Sequence, residues 1–582
     1  MSDALEQASL IMVPSGYENG TLGSLKPLDG TGDFTFTRGS DISATRVNEQ
    51  GYIEKGYENL LLQSNSFDTT WQQSGTTRTS GQTGYYGTND AWLLNKNLSQ
   101  AFLFQGVTFS GVQTISIYAK AGSLNWVLVG SSIYGGYFDL FNGVEGSSIG
   151  NAISTKITPV GDGWYRCEVS GIHNITTSFR VYPADVDLDT SGTSGSIYIQ
   201  DAMLNQGMVS YPYVETTTAP VAGGILEDMP RLDYSGSCPA LLLELQRTNL
   251  IRHSEYFLGE NNWFGGLGLT FGYDSSILNP ENYYGCTTAI GNHLKRYSVI
   301  NGVSVGTKLS YSIFAKSNSN ANFTFGGIAG EESATFNINA GTLISQGSSV
   351  DSYDIVDYSN GWRKYVVNTT FQDAIGNGQV YVNISWNDAI EPAYLYGLQL
   401  EQDATYPTSY IPTYGVSQTR LKDVCVDAGN VNTFNSVEGV LFLEASALFD
   451  DLTRRHISIS DGSTANRVVL RYDSNSNSVQ FFVQVGGIIP VSLYSTNYTT
   501  TDNLKMAVKY KSGDYKLYVN GQIEDSSTDV SAINPNTLDT FEFARGIGSQ
   551  NFYGKAKQVL YFPTALSDDE CKALTYVPPV EP

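Results

Sequence analysis

Few residues of this chain are spaced for covalent chemistry. Hydrolysis of a glycosidic bond needs two carboxylates flanking it, and a strand offers them on one face only when they stand two residues apart. The acids here do not. Glu331-Glu332 and Glu524-Asp525 are adjacent, Glu444 is alone in its apolar run, and Asp568 to Glu570 follow a serine as at a helix start. The four histidines, His173, His253, His293 and His456, fall in no metal-ligand spacing. No serine sits in a GxSxG elbow, and no loop has Walker spacing. Asp185, Asp187 and Asp189 alternate and are able to share a calcium ion, although a charged turn is the plainer reading. The expectation is a protein that is not an enzyme, with no catalytic residue, no cofactor and no metal.

Aromatic side chains are the better lead. Sugars are held by aromatic faces and polar edges, and Trp126, Tyr134 and Tyr137 cluster beside the Gly135-Gly136 turn. Tyr118 and Phe314 occupy matching positions in two similar strands. The competing reading is that these rings fill a sandwich core or a subunit interface, where aromatics contribute the most area.

The elements that must position them are read from a repeat. ISIYAK, from Ile115 to Lys120, returns as YSIFAK, from Tyr311 to Lys316. In each, alternate residues (Ile115, Ile117, Ala119; Tyr311, Ile313, Ala315) share one face of an extended strand. Asn59-Leu60 with Phe67 and Trp71 returns as Asn249-Leu250 with Phe257 and Trp263. Gly163-Trp164 returns as Gly361-Trp362, and Tyr211-Pro212 with Tyr213 as Tyr406-Pro407 with Tyr410. One domain occurs twice, over 46–225 and 226–418. Short alternating runs punctuated by glycine about every ten residues predict antiparallel, jelly-roll β-sandwiches.

Residues 419–582 form a third module of different make. Its strands are predicted at Gly439 to Ala447, His456 to Ser460, Arg467 to Tyr472, Val479 to Val485, Leu504 to Tyr510 and Tyr515 to Val519. Asn520-Gly521 suits a type I′ hairpin turn, and Ser567 with three acids behind it suits the N-cap of a short helix. Residues 1–45 read as an extended attachment arm with too few apolar positions for a core. Leu10 to Val13, Phe34 and Phe36 must then be buried against the next domain or a partner, and a symmetric homotrimer provides such a neighbour. Arg46, Arg231 and Arg420 each precede a module, and a clamp at every junction is the expected role of their guanidinium groups.

Composition sets the class of partner. Charged residues are 15% of the chain, Gly numbers 59 and Tyr 38, which suits stacked sheets with tight turns. A net charge of −24 repels phosphate backbones and anionic bilayers, so neither nucleic acid nor membrane is expected as a partner. The five scattered cysteines, with no CxxC, suit reduced thiols in a protein assembled in a cytoplasm; Cys425 and Cys571 flank the third module. No export signal is expected, since Leu10 to Val13 is the only apolar run near the start.

The third module, with Gly439 to Ala447, Asp461-Gly462, Asp514 to Gly521 and the ending Lys555 to Glu570, resembles the concanavalin A-like, laminin-G-type jelly roll of bacteriophage virion proteins. The joints Ala44 to Asn48, Pro230 to Tyr234, Leu241 to Leu250 and Thr408 to Thr413 resemble segments of tail and head fibre proteins, notably those of phages of gut Bacteroidales, the crAss-like group among them. The resemblance implies an all-β structural fibre protein on the virion surface, commonly a homotrimer, anchored to capsid or tail proteins by its arm and adhering to host or mucosal glycans. A tailspike-type polysaccharide depolymerase is the alternative.

Overall fold

A computed structural model describes residues 2–578, apart from 41–42, 109–110, 174–175, 237, 260–262, 266–267, 329 and 547. The described chain is almost entirely strand, with helix confined to Ser2–Gln7, Asp568–Thr575 and two single turns. No helix among the described residues is long and apolar enough to cross a membrane.

The first repeat is a sandwich of two six-stranded sheets. In one, Gly111–Ala121 lies between Trp164–His173 and Gly195–Gln206, and Ala91–Lys96 with Thr76–Gln82 extends the far side. In the other, Trp126–Gly130 lies between Tyr134–Asp139 and Thr176–Ala184, followed by Phe102–Thr108 and Gln72–Ser74. Ile115, Ile117 and Ala119 pack between the sheets against Val127, Val129, Phe138, Phe179 and Val181. This is the face that alternation assigns to the core.

The second repeat has the same strand order. Lys308–Lys316 pairs with Arg363–Thr370 on one side and with Val380–Gln402 on the other. Its pairing slips between Ser312 and Phe314, as that of Gly111–Ala121 slips between Ser116 and Tyr118. Ile117 and Ile313 sit at these matching breaks, both fully buried. One difference stands out. Tyr284–Ile300 and Val380–Gln402 each run through both sheets, whereas the first repeat splits each into two strands, with loops at 97–101 and 185–194.

Small polar contacts repeat as faithfully as the strands. Asn59 Nδ2 donates to the carbonyls of Ala202 and Val214, and its Oδ1 accepts from the amides of Leu61 and Leu204. Asn249 does the same with Leu398, Ile411, Ile251 and Leu400. Ser64 bonds the Tyr213 hydroxyl as Ser254 bonds that of Tyr410. Trp164 and Trp362 are both buried.

The third module packs an eight-stranded against a five-stranded sheet, and six of its strands lie where the sequence predicts them, to within a residue. Asn520 and Gly521 take positive φ in the hairpin turn, and Ser567 and Glu570 form a reciprocal capping box. Strands at Ile488–Ser495, Gln522–Ser527, Thr540–Glu542 and Gly554–Phe562 complete it. Ile488–Ser495 carries Pro490, tolerated because the strand lies on a sheet edge. All five cysteines are unpaired. Cys425 lies in the sandwich core, while Cys571 packs with Val440 and Phe442, whose side chains leave the other face of the sheet.

Two expectations change. The first eighteen residues assigned to the second repeat contain Arg231–Asp233 and Ala240–Leu243, which hydrogen-bond into the eight-stranded sheet of the third module through Gly554–Phe562. The arm joins the third module too: Leu10–Met12 pairs with Val559 to Tyr561 in the eight-stranded sheet, and Phe34–Thr37 pairs with Val424–Val426 in a separate four-stranded sheet. Leu10, Met12, Phe34 and Phe36 are at most 1% exposed in this one chain. The burial for which a neighbouring subunit was expected is provided by the chain's own last module, so the arm's apolar residues do not require a trimer.

Candidate functional site

The junctions are buried charge nodes. Arg231 NH1 donates to the Thr45 carbonyl at 3.0 Å and to Glu244 and Ser409 at 2.8 Å, while NH2 meets Asp423. Arg420 reaches Glu244 at 3.0 Å and the Leu245 carbonyl at 2.9 Å. The third member is Arg38, 3.3 Å from Asp423, not Arg46. Arg46 instead holds Glu54 and the Tyr17 hydroxyl in a separate contact. The expected clamps therefore converge, with partners drawn from the arm, the second repeat and the third module. Burial alone would raise the Glu244 carboxyl, but Arg420, Arg231 and the Ser409 bonds outweigh it and hold it well below the usual carboxylate range.

A second node joins the two repeats. Lys55 Nζ meets Glu255 and lies 2.8 Å from Glu281, all three side chains at most 3% exposed. The hydroxyls of Tyr211 and Tyr396 donate to Glu281, and those of Tyr410 and Tyr414 donate to Glu255. Burial raises the Glu281 carboxyl against the pull of Lys55. Two carboxylates in one enclosed site resemble a catalytic pair, yet both are almost wholly buried and engaged by Lys55 and four tyrosine hydroxyls. This node is structural.

The other acids are each engaged by nearby donors. Glu444 accepts from Asn503, Glu332 from the Gln372 amide, Glu524 from Ser495 and Tyr498, and Asp525 from the Tyr494 amide. Asp568 takes Lys516 and Tyr518. Asp185 pairs with Lys96, Asp187 accepts from the Ser147 amide and hydroxyl, and Asp189 accepts from Ser191. No group of three or more metal-ligating side chains is gathered among the described residues. His253 is buried beside Tyr414, His293 is exposed on Tyr284–Ile300, His456 is buried, and the side chain of His173 lies outside the described residues.

Of the flagged aromatics, Tyr134 is core. Tyr118 is covered by Tyr85, stacked 4.3 Å away, and Phe314 by Tyr358 and Tyr410. Trp126 and Tyr137 remain, on the outward face of the second sheet of the first repeat. Pairing there sets Tyr137 beside Leu128, Leu128 beside Tyr182 and Tyr182 beside Phe102, one row across four strands. At a strand spacing of about 4.8 Å the row is about 14 Å long. Trp126 stands in the adjacent row, opposite Asp139 and Ala184. Any side chain at Gly146 would collide with Trp126 and Asp187, so the edge strand Val144–Gly150 lies close against the indole. Arg180 lies over Phe102, 5.0 Å from the ring centroid, and donates to the Tyr182 hydroxyl at 3.2 Å. Trp126, Tyr182, Phe102, Phe104 and Arg180 are half-buried, whereas Tyr137 and Leu128 are buried beneath them and the edge strand. Such a surface stacks on the apolar face of a pyranose and hydrogen-bonds its hydroxyls. Phe102, Arg180 and Tyr182 were not singled out from sequence; alternation within Phe102–Thr108 and Thr176–Ala184 carries the signal, but not the register that aligns them.

Residues 447–572 match a family model described as the concanavalin A-like lectin/glucanases superfamily. The third module is thus a concanavalin A-like, laminin-G-type jelly roll, in a chain of tandem β-sandwiches. A search of curated proteins finds no match. Solved structures that resemble parts of the chain include the CBM40 of the Ruminococcus gnavus IT-sialidase bound to alpha2,3 sialyllactose, at 16% identity and TM-score 0.22 over 24% of this chain and 83% of that one. The tandem CBM22-1-CBM22-2 domain of Paenibacillus barcinonensis Xyn10C is 10% identical at TM-score 0.21, over 62% of this chain and 99% of that one. Sheep galectin-11 is 10% identical at TM-score 0.15, over 21% of this chain and 86% of that one. Likenesses this slight carry no functional argument.

Proposed function

We propose that the chain is a non-enzymatic, glycan-binding structural protein of a bacteriophage virion, a surface fibre that adheres to host or mucosal sugars. The observation that carries the sugar binding is the outward row Tyr137–Leu128–Tyr182–Phe102, whose half-buried end at Tyr182 and Phe102 has Arg180 at its edge. The lectin-type third module is in keeping with it. The virion setting rests on the resemblance of the module joints to phage fibre segments, and assembly as a homotrimer rests on that resemblance alone. In a trimer, several weak sites would act together, with tethering rather than single-site affinity giving the adhesion its strength. The arm would reach capsid or tail proteins through its outer surface, its inner one being occupied.

Glycan-array binding of the purified protein, repeated with Trp126→Ala and Tyr182→Ala, tests the sugar reading. Retained binding in both variants would remove this face from the argument. A reducing-end assay on bound polysaccharide discriminates adhesion from depolymerase activity. Light scattering should give about three times the 63.3 kDa protomer mass, and antibody labelling of virions should decorate the particle surface.

A further inference from the structure

The outward face of the five-stranded sheet in the third module carries an arginine cluster that its own acids do not balance. Arg467 and Arg471 flank Phe482, each guanidinium carbon 5.2 Å from the ring centroid. Arg471 and Arg454 share a single carboxylate oxygen of Asp473, both at 2.9 Å. Arg467 has neutral partners, the Gln484 side chain at 2.8 Å and the Arg545 carbonyl at 2.7 Å. Its titration is moved by burial, then Arg545 and Arg471, all downward to about 10, with no carboxylate opposing them. Glu542 also lies on this face but accepts from the Gly548 amide. His456, 3.0 Å from Arg471, does not add to the charge, because burial and the surrounding arginines push it down to about 3. Four arginines therefore stand around one bonded carboxylate in a chain of net charge −24.

Beside the cluster opens a cleft of about 650 Å³, lined by Lys422, Thr453, Arg454, Ser474, Ser549 and Asn551 among others. Asn551 is 4% exposed, and its Nδ2 has no hydrogen-bond partner. The Nε of Arg471 in the adjacent cluster is also buried without one. Of these groups the Asn551 amide lines the cleft itself; around the cluster the unmet acceptors are the His456 Nδ1 and the Oε1 of Gln480, the residue paired with Arg471. A buried donor without an acceptor is destabilising, and mutual repulsion of the arginines adds to that. Both costs are relieved by a ligand that brings oxygen acceptors and negative charge.

We propose that this cleft binds an oxyanion, a carboxylate or sulfate, contacted by Arg454 and the Asn551 amide and held in the field of Arg471, Arg467 and Arg545. On the sugar-binding reading above, the group is the acidic substituent of a saccharide, which would give the third module a preference for acidic over neutral glycans. The anion site itself stands without that reading.

Calorimetric titration of the full chain with sodium sulfate, glucuronate and glucose, at constant ionic strength, is the test. Sulfate and glucuronate should bind saturably with Kd below about 1 mM and glucose should not. Arg454→Gln should weaken both anions about tenfold, one charge-assisted hydrogen bond. Arg454 is 46% exposed, so that variant should fold. Tyr182→Ala should leave anion binding unchanged, which makes failure of the first-repeat sugar face distinguishable from failure of this site. Binding of sulfate but not glucuronate would keep the oxyanion site and overturn a carboxylate as its ligand, leaving the sulfate ester. Absence of saturable binding by either anion, or equal affinity in Arg454→Gln, would overturn the proposal.

Discussion

The two repeats are the same sandwich with different outer surfaces. At the four register positions held by Tyr137, Leu128, Tyr182 and Phe102 in the first, the second carries Thr335, Thr324, Ser385 and Leu294. There Thr324 and Thr335 bond each other at 2.8 Å. The inward rows, by contrast, keep apolar side chains in both. A strand's two faces answer to separate demands, packing on one side and solvent or ligand on the other, so the outward row was free to change while the core was not. The first repeat also breaks two long strands to gain loops at 97–101 and 185–194, and Asp187 from the second of these props the sheet end beside Trp126. The second keeps them continuous.

The largest expected effect breaks the union of the copies. Lys55→Met strands Glu255 and Glu281 together in a dry site, and about 3–5 kcal/mol should be lost. Thermal unfolding reads this, and adding Glu281→Gln should recover part of it. If the double variant is no more stable than Lys55→Met, the node is not a charge lock.

Equivalence of the scaffolds is tested next. Asn59→Ala and Asn249→Ala each remove four buried hydrogen bonds to the backbone, and each should cost about 3 kcal/mol or more. A clear inequality between them in denaturant midpoints would mean that one copy does not need its asparagine.

Acid should act on the junction to the third module. The folded Glu244 carboxyl lies below its unfolded value of about 4.3, so its contribution is complete above that pH. It is lost as pH falls toward the folded value, at about 1.4 kcal/mol per unit for one such group. Glu244→Gln should be less stable at neutral pH and should flatten this slope between about pH 4 and pH 2; an unchanged slope would assign acid sensitivity elsewhere.

The outward rows invite exchange. Tyr182→Ser, which installs the second repeat's residue at that position, should weaken glycan binding about tenfold, some 1.4 kcal/mol, with little change in melting temperature. Ser385→Tyr should not confer binding alone, because the rest of the row, Thr335, Thr324 and Leu294, offers no aromatic ring. The smallest effect separates two equivalent tryptophans. Trp362 donates its indole N–H to the Leu278 carbonyl at 2.8 Å, a bond for which Trp164 has no counterpart among the described residues. Trp362→Phe should therefore be costlier than Trp164→Phe by about 1 kcal/mol.

Local pattern determined much of this protein. Alternation in Ile115 to Lys120 and Tyr311 to Lys316 gives the core face because a strand's side chains have a period of two. Recurrence of Asn59 as Asn249 marks a repeated hydrogen-bond staple, and Asn520-Gly521 and Ser567 announce a turn and a cap that close within four residues. Each of these depends on neighbours in sequence or on exact repetition. The rest was decided only by the tertiary structure. Arg38 meets Asp423, and Lys55 meets Glu255, from segments about 200 residues or more apart, and nothing local records which acid a buried cation will find. Leu10 and Phe34 announce that they need burial, not where it comes from, so the arm's place on the last module was invisible until strands paired. The row of Tyr137, Leu128, Tyr182 and Phe102 exists through register alone. A slip of one residue in any strand would turn its member inward, and only the packed core holds all four in line.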